Sequence, residues 1–126
     1  MAVDFTRFPH SLLRAARALV TALREELNFR LQVVGAIVVV LLAVWLRIDA
    51  RELAVIFLAV AVVPVLELVN SAVERLVDMA QPRVHHYAAA VKNLMAGAVL
   101  LSAVAAGGVV LVIFWPYLVG AWPFVL

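Results

Sequence analysis

Three long apolar blocks, separated by short polar segments, limit what this chain can fold into more than any other feature. The blocks cover residues 31–46, 53–77 and 94–115, and only the second of them contains charged residues. A helix needs about 20 apolar residues to cross a hydrocarbon core about 30 Å thick. Since 67% of the 126 residues are hydrophobic, we predict an all-α membrane protein with a single domain. Its transmembrane helices are predicted at about 29–47, 53–80 and 90–116.

The segment before the first block has the pattern of an amphipathic helix, predicted over about residues 8–28. Its apolar side chains recur at helical spacing from Leu12 to Leu27, while Arg14, Arg17 and Arg24 lie off that face. Basic helices of this kind commonly lie in the membrane interface, beside anionic head groups. Packing of the helix against the chain's own spans is the open alternative.

The distribution of basic residues predicts the orientation in the membrane. Arginines are concentrated in the first 30 residues and basic residues recur over 75–93, whereas the connection between the first two spans is balanced in charge. The positive-inside rule then places the N-terminus in the cytoplasm and the C-terminus outside. The net charge of +2 is too small to indicate nucleic-acid binding, and the absence of cysteine excludes disulfides and thiolate chemistry.

An acidic stripe interrupts the second apolar block. Its members, at helical offsets of 0, 3, 7 and 11, are Glu67, Asn70, Glu74 and Asp78. The uncharged run 53–66 before Glu67 would cover roughly 20 Å as a helix, which places this carboxylate inside the hydrocarbon layer. A carboxylate at that depth costs about 2.5–3.5 kcal/mol or more, so the stripe is the first place to expect chemistry.

No glycine-rich phosphate loop is present. If the chain binds ATP, its phosphates must therefore be held by metal and side chains, and the residues near the stripe are of suitable types. Glu74 and Glu26 are carboxylates suited to Mg²⁺, which typically takes one or two of them together with substrate phosphates. Lys92 could neutralise a phosphate oxygen. Glu67, the deepest of the acids, is suited to accept a proton from a lipid hydroxyl.

Structural explanations for the same residues stay open at this point. An intramembrane acid such as Glu67 can fix helix packing by pairing with Arg30 or Lys92. Lys92 by itself is more often an anchor whose charged end reaches the membrane interface.

Two motifs carry a resemblance to a known family. One is ELVNSAVERLVD over residues 67–78, followed by Pro82, His85 and KNLMAGAV from Lys92; the other is ELNFR over residues 26–30. Together they resemble the small prokaryotic diacylglycerol kinase and undecaprenol kinase family, over most of the chain.

The resemblance implies a homotrimer of three-span subunits in the bacterial inner membrane, with active sites at the cytoplasmic boundary. It implies transfer of the γ-phosphate of ATP, with Mg²⁺, to a lipid alcohol, either undecaprenol or diacylglycerol. By matching positions, Glu67 is the catalytic base, and Glu26 and Glu74 are the metal ligands. The implied substrate- and phosphate-binding residues are Asn28, Arg30, Asn70, Lys92 and Asn93.

One departure from the family pattern concerns Asn93, since the family typically has Lys-Asp where this chain has Lys92-Asn93. An amide lacks the charge with which a carboxylate attracts a cation. On sequence grounds, Asn93→Asp is expected to raise the phosphorylation rate by at least about tenfold. Two alternatives to an active lipid kinase stay open. One is a weak or inactive family member that acts as a structural membrane assembly, and the other is a small ion-conducting oligomer.

Overall fold

A computed structural model describes residues 7–80 and 85–120, with the backbone alone at His85. These residues form four helices, which are α1 (Phe8–Glu25), α2 (Leu27–Trp45), α3 (Ala50–Ala80) and α4 (His85–Val119). Within this part of the chain, α2, α3 and α4 are long and apolar enough to cross a membrane. The predicted three spanning helices are therefore confirmed, while the trimer and the interfacial position of α1 stay predictions. Pro82 of the family motif lies outside the described residues.

A break of one residue separates α1 from α2, earlier than the predicted end near residue 28. Glu26 adopts an extended conformation (φ −109°, ψ 107°), and its backbone N–H donates to the Ala22 carbonyl at 2.9 Å. Arg30 then folds back, and its guanidinium donates to the carbonyls of Leu23 at 2.9 Å and Arg24 at 2.8 Å. These are terminal carbonyls that α1 leaves without an intrahelical partner. The arginine therefore stabilises the break, and α2 begins already at Leu27.

A tight turn joins α2 to α3 and makes the two helices antiparallel. Arg47 has a left-handed backbone (φ 55°), and the Ile48 N–H donates to the Ala43 carbonyl at 3.1 Å. Asp49 caps the N-terminus of α3, because its carboxylate accepts the Arg51 N–H at 3.1 Å.

The C-terminal end of α4 contacts this turn through a cluster of three polar residues. We call it the Tyr117 cluster, and its members are Asp49, Glu52 and Tyr117. The Tyr117 hydroxyl donates to a carboxylate oxygen of Glu52 at 2.6 Å and accepts the Asp49 N–H at 3.2 Å. α3 thus packs against both other spanning helices, α2 and α4.

The buried core of the protomer lies next to the Tyr117 cluster. Its buried members are Ala43, Ile48, Ile56, Val60 and Phe114. In the most apolar stretch of any spanning helix, at most 22% of the residues are buried within the protomer. Lipid or further protein must therefore cover most of the spanning surface, as expected for a membrane protein.

Candidate active site

A cleft of about 450 Å³ opens at the end of the bundle opposite to the Tyr117 cluster. We call it the acidic cleft, and its lining residues are Glu26, Leu27, Asn28, Glu67, Asn70, Ser71, Glu74, Arg75 and Asp78. All four residues of the predicted stripe are among them, because offsets of 3, 4 and 4 keep side chains on one face of α3. The helix break of Glu26 and the first turn of α2 form the facing wall.

Glu67 is the buried acid of the site, with 6% of its surface exposed. Its carboxylate Oε2 accepts a hydrogen bond from Gln32 Nε2 on α2 at 3.3 Å. Within residues 7–80 and 85–120, neither Arg30 nor Lys92 forms an ion pair with it. The structural pairing considered from the sequence is therefore not what holds this carboxylate.

Glu26 is bound from α3 by two residues that the sequence reasoning missed. Ser71 donates its hydroxyl to Oε2, and Arg75 donates from Nη2 to Oε1 at 3.0 Å. Arg75 also lies 3.7 Å from the carboxylate of Glu25. A signal was available, because Glu67, Ser71 and Arg75 follow one another at i, i+4 spacing and must share a helix face.

Lys92 connects α4 to the outer part of the stripe. Its Nζ lies 2.6 Å from a carboxylate oxygen of Asp78 and 4.0 Å from one of Glu74. Lys92 therefore lies beside the two outer acids of the stripe, while its role toward a phosphate stays a prediction. Its side chain is half-buried beside the cleft.

A second cleft, of about 270 Å³, lies on the other side of Glu67. We call it the amide cleft, and its lining residues are Asn28, Gln32, Glu67, Asn70, Ala96, Val99, Leu100 and Ala103. Glu67, Asn28 and Asn70 therefore line both clefts. One cleft is rich in carboxylates, whereas the other combines neutral amides with apolar side chains of α4.

Two predicted site residues lie elsewhere. Arg30 is engaged by the terminal carbonyls of α1 and lines neither cleft. Asn93 is exposed on α4 and also lines neither cleft, although Lys92 beside it reaches the stripe.

The acidic cleft has the charge to attract a cation. Four carboxylates line it (Glu26, Glu67, Glu74 and Asp78), and Arg75 is the cationic residue among its described lining. No group of three or more potential metal ligands occurs among the described residues, so the protomer alone does not form a complete protein cage for a metal. This donor set fits Mg²⁺, which binds through one or two carboxylates and completes its shell with substrate phosphates and water.

Three spanning helices with a buried carboxylate between an acidic and an amide-lined cleft define an integral membrane protein with a candidate catalytic site at one end of its bundle. A sequence model of the family described as prokaryotic diacylglycerol kinase matches residues 14–114. The chain belongs to this family of lipid kinases, and the resemblance read from its motifs is confirmed.

Individual relatives agree with the family match. The undecaprenol kinase of Bacillus subtilis is 33% identical over 115 residues, which cover 91% of this chain and 94% of that protein. The diacylglycerol kinase of Escherichia coli (strain K12) is 27% identical over 113 residues, covering 90% and 93%. The diacylglycerol kinase of Synechocystis sp. is 37% identical over 86 residues, covering 68% of this chain and 49% of that protein.

Proposed function

We propose that this protein transfers the γ-phosphate of ATP, bound with Mg²⁺, to the hydroxyl of a membrane lipid alcohol at the cytoplasmic boundary of the bacterial inner membrane. The observation that carries the proposal is the position of Glu67. This residue is 6% exposed and lines both clefts, so it lies between a side suited to phosphates and metal and a side suited to lipid. A group that removes a proton from one substrate as it attacks another requires such a position.

On the lipid side, the amide cleft suits a hydroxyl group carried on an apolar chain. Asn28 and Asn70 offer amide donors and acceptors to the hydroxyl, and Val99 and Leu100 offer apolar contact to the chain that follows it. Glu67 accepts the hydroxyl proton as the lipid oxygen attacks the γ-phosphorus, and ADP leaves from the acidic cleft.

On the nucleotide side, Glu26 and Glu74 would hold Mg²⁺, which supplies charge neutralisation to the phosphates when bound. Lys92 lies 4.0 Å from Glu74 and is within reach to pair with a phosphate oxygen. Glu26 binds Arg75 and Ser71 in the protomer, so its carboxylate would have to release at least one of them in order to hold Mg²⁺. Arg30 contributes by stabilising the helix break that presents Glu26.

For the acceptor we propose undecaprenol, with diacylglycerol as the competing lipid. Of the two relatives aligned over about 90% of this chain, the undecaprenol kinase of Bacillus subtilis is 33% identical and the Escherichia coli diacylglycerol kinase is 27% identical. The diacylglycerol kinase of Synechocystis sp., 37% identical over 68% of this chain, is the reason that diacylglycerol stays the competing lipid. Both lipids place a primary hydroxyl at the interface, so the choice depends on the chain behind that hydroxyl rather than on Glu67.

We further propose a homotrimer with its N-terminus in the cytoplasm and its C-terminus outside. The exposed spanning surface of the protomer and the small residues along α4, such as Gly97, Ala103 and Gly107, suit close helix partners. Native mass spectrometry in detergent should find the trimer. Active monomers alone would overturn it.

Transfer of radiolabel from γ-labelled ATP tests the function directly. Purified protein in detergent micelles is supplied with undecaprenol, diacylglycerol or a saturated long-chain alcohol, and label in the lipid fraction is counted. We expect the largest incorporation with undecaprenol, and none in the Glu67→Gln variant. Glu52→Gln is the matched control, because it makes the same change on the same helix but at the Tyr117 cluster, and it should retain the parent rate.

Absence of label in every lipid with correctly folded parent protein would overturn the kinase proposal. It would favour the structural assembly or the ion-conducting oligomer instead. A proton-flux assay in vesicles then separates these two.

A further inference from the structure

Gln32 is a polar residue inside the first apolar block, and it is the hydrogen-bond partner of the buried acid. Its Nε2 donates to Glu67 Oε2 at 3.3 Å. Within the part of the chain that the structure describes, no other residue forms a hydrogen bond to this carboxylate. The other end of the same amide, Oε1, is buried and has no partner in the described protomer.

The unpaired oxygen has an energetic cost. A buried acceptor without a hydrogen bond destabilises a protein, and an apolar side chain of similar size would avoid that cost. Asn28 and Asn70 share the amide cleft with Gln32, but neither donates to Oε1 in the described protomer. The α4 residues of this cleft, Ala96, Val99, Leu100 and Ala103, have no side-chain donor. A second use for the amide must therefore involve Glu67 or the substrate.

We propose that Gln32 is a positioning residue that supports Glu67 in both of its protonation states, an inference that rests on the proposed function. Before transfer, Nε2 donates to the ionised carboxylate and holds its free oxygen toward the lipid hydroxyl. After transfer, half a turn of the planar amide brings Oε1 to the Glu67 O–H that has formed. A primary amide is suited to this because it offers a donor pair and an acceptor at nearly equivalent positions.

The step balances in atoms and electrons. The lipid O–H bond breaks and its proton forms the Glu67 O–H, while the lipid oxygen forms a bond to the γ-phosphorus. The bond from that phosphorus to the bridging oxygen breaks, and the electron pair leaves with ADP. Gln32 forms no bond to substrate in this sequence and acts only through Glu67.

Other side chains at position 32 would serve one state only. A lysine or arginine would stabilise the carboxylate but offer no acceptor to the protonated acid, and an ionised glutamate would repel the carboxylate. The charged groups that share the acidic cleft with Glu67 are Glu26, Glu74, Arg75 and Asp78. None of these is in hydrogen-bond contact with Glu67 in the described residues, so none substitutes for the amide.

Steady-state kinetics of three variants tests the role. Gln32→Met keeps the length but removes both hydrogen-bonding ends, and it should lower kcat at least about tenfold with KM values for ATP and lipid within about twofold. Gln32→His restores one donor and one acceptor and should recover part of that loss. Val39→Met is the matched control, since it changes a half-buried apolar residue further along α2, and it should behave like the parent.

Infrared spectroscopy of the resting protein, without substrates, reads the contact independently of activity. The band that disappears in Glu67→Gln identifies this carboxyl group, and that band should shift in Gln32→Met and stay in place in Val39→Met. An unshifted band, an unchanged kcat, or a loss confined to KM or to Tm would overturn the positioning role. If Glu67→Gln instead keeps the parent rate, Glu67 is not the proton acceptor and the proposed function is wrong. The infrared shift would still report whether Gln32 holds the carboxylate.

Discussion

The two ends of the helix bundle both join helices through carboxylates, but they do so in opposite ways. At the Tyr117 cluster, one hydroxyl donates to Glu52 and accepts from the Asp49 backbone, so that each group has a matching partner. At the acidic cleft, four carboxylates line a volume of about 450 Å³, and two cations contact them, Arg75 at Glu26 and Lys92 at Asp78. The first arrangement is complete in the protomer, whereas the second has acceptors and negative charge to spare.

The comparison separates polar groups that hold a membrane protein together from polar groups that await a ligand. A matched hydrogen-bonded pair gives specific packing and leaves no donor or acceptor for a substrate. An excess of carboxylates is unfavourable until a cation or a proton arrives, which agrees with the metal-binding and proton-accepting roles proposed for Glu26, Glu74 and Glu67. Changes at the acidic cleft should therefore affect turnover, while changes at the Tyr117 cluster should affect stability.

The largest effect is expected for Glu67→Gln. It should lower kcat by about 10²–10⁴-fold, since the amide cannot accept a proton, while the oligomeric state and the affinity for ATP stay near those of the parent. Single-turnover kinetics with labelled ATP, alongside equilibrium nucleotide binding, measures both quantities. Parent-like turnover in this variant would rule out the role of Glu67.

The next largest effect is expected at the proposed metal ligands. Glu26→Ala and Glu74→Ala should each raise the Mg²⁺ concentration for half-maximal rate by about tenfold, because each removes one of the few carboxylates available to the ion. Magnesium titrations of the rate measure this shift, and Glu52→Ala is the control at the other end of α3. If all three curves overlay that of the parent, the metal is held elsewhere.

A smaller effect, of a different kind, is expected at the Tyr117 cluster. Tyr117→Phe removes a hydroxyl that donates to Glu52 at 2.6 Å, and it should lower the free energy of unfolding by about 1–3 kcal/mol. Its kcat should stay within about twofold of the parent. Denaturant titration in detergent together with the label-transfer assay checks both. A fall in kcat without loss of stability would erase the distinction between the two ends.

The smallest effect is expected for Asn93→Asp. The sequence alone favoured a gain of about tenfold, but the structure places this residue exposed on α4 and outside both clefts. We therefore expect the rate to change by less than about threefold, since charges at an exposed site are strongly screened. Side-by-side label transfer decides the matter, and a gain of tenfold or more would show that Asn93 limits catalysis.

Local patterns in the sequence were enough to find the spanning helices and the acidic stripe. Apolar length predicts a span because the bilayer has a fixed thickness, and helical periodicity alone places Glu67 and Glu74 on one face. The side-chain contacts between different helices could not be predicted in this way. Gln32, Ser71 and Arg75 contact acids 35 to 49 residues away in the chain, and no local rule specifies which helix faces meet at that distance.

Arg30 shows that a sequence motif does not specify the contacts of its members. Its place in the family motif predicts a phosphate ligand, and that role stays a prediction. In the protomer, one extended residue at Glu26 turns the chain so that the guanidinium of Arg30 donates to the carbonyls of Leu23 and Arg24. A motif records which residues are needed but not which atoms they contact, because a long flexible side chain binds whichever acceptors the backbone brings within reach.

What the sequence by itself determined is the membrane character, the number of spans, the acidic stripe and the family. These follow from one-dimensional properties, namely hydrophobic length, period and motif order. Only the tertiary structure decided that Glu67 is held by Gln32, that it lies between an acidic and an amide-lined cleft, and that Arg30 and Asn93 line neither. Those facts depend on how α2 and α4 pack against α3, and packing is fixed by the summed fit of many side chains rather than by any single one.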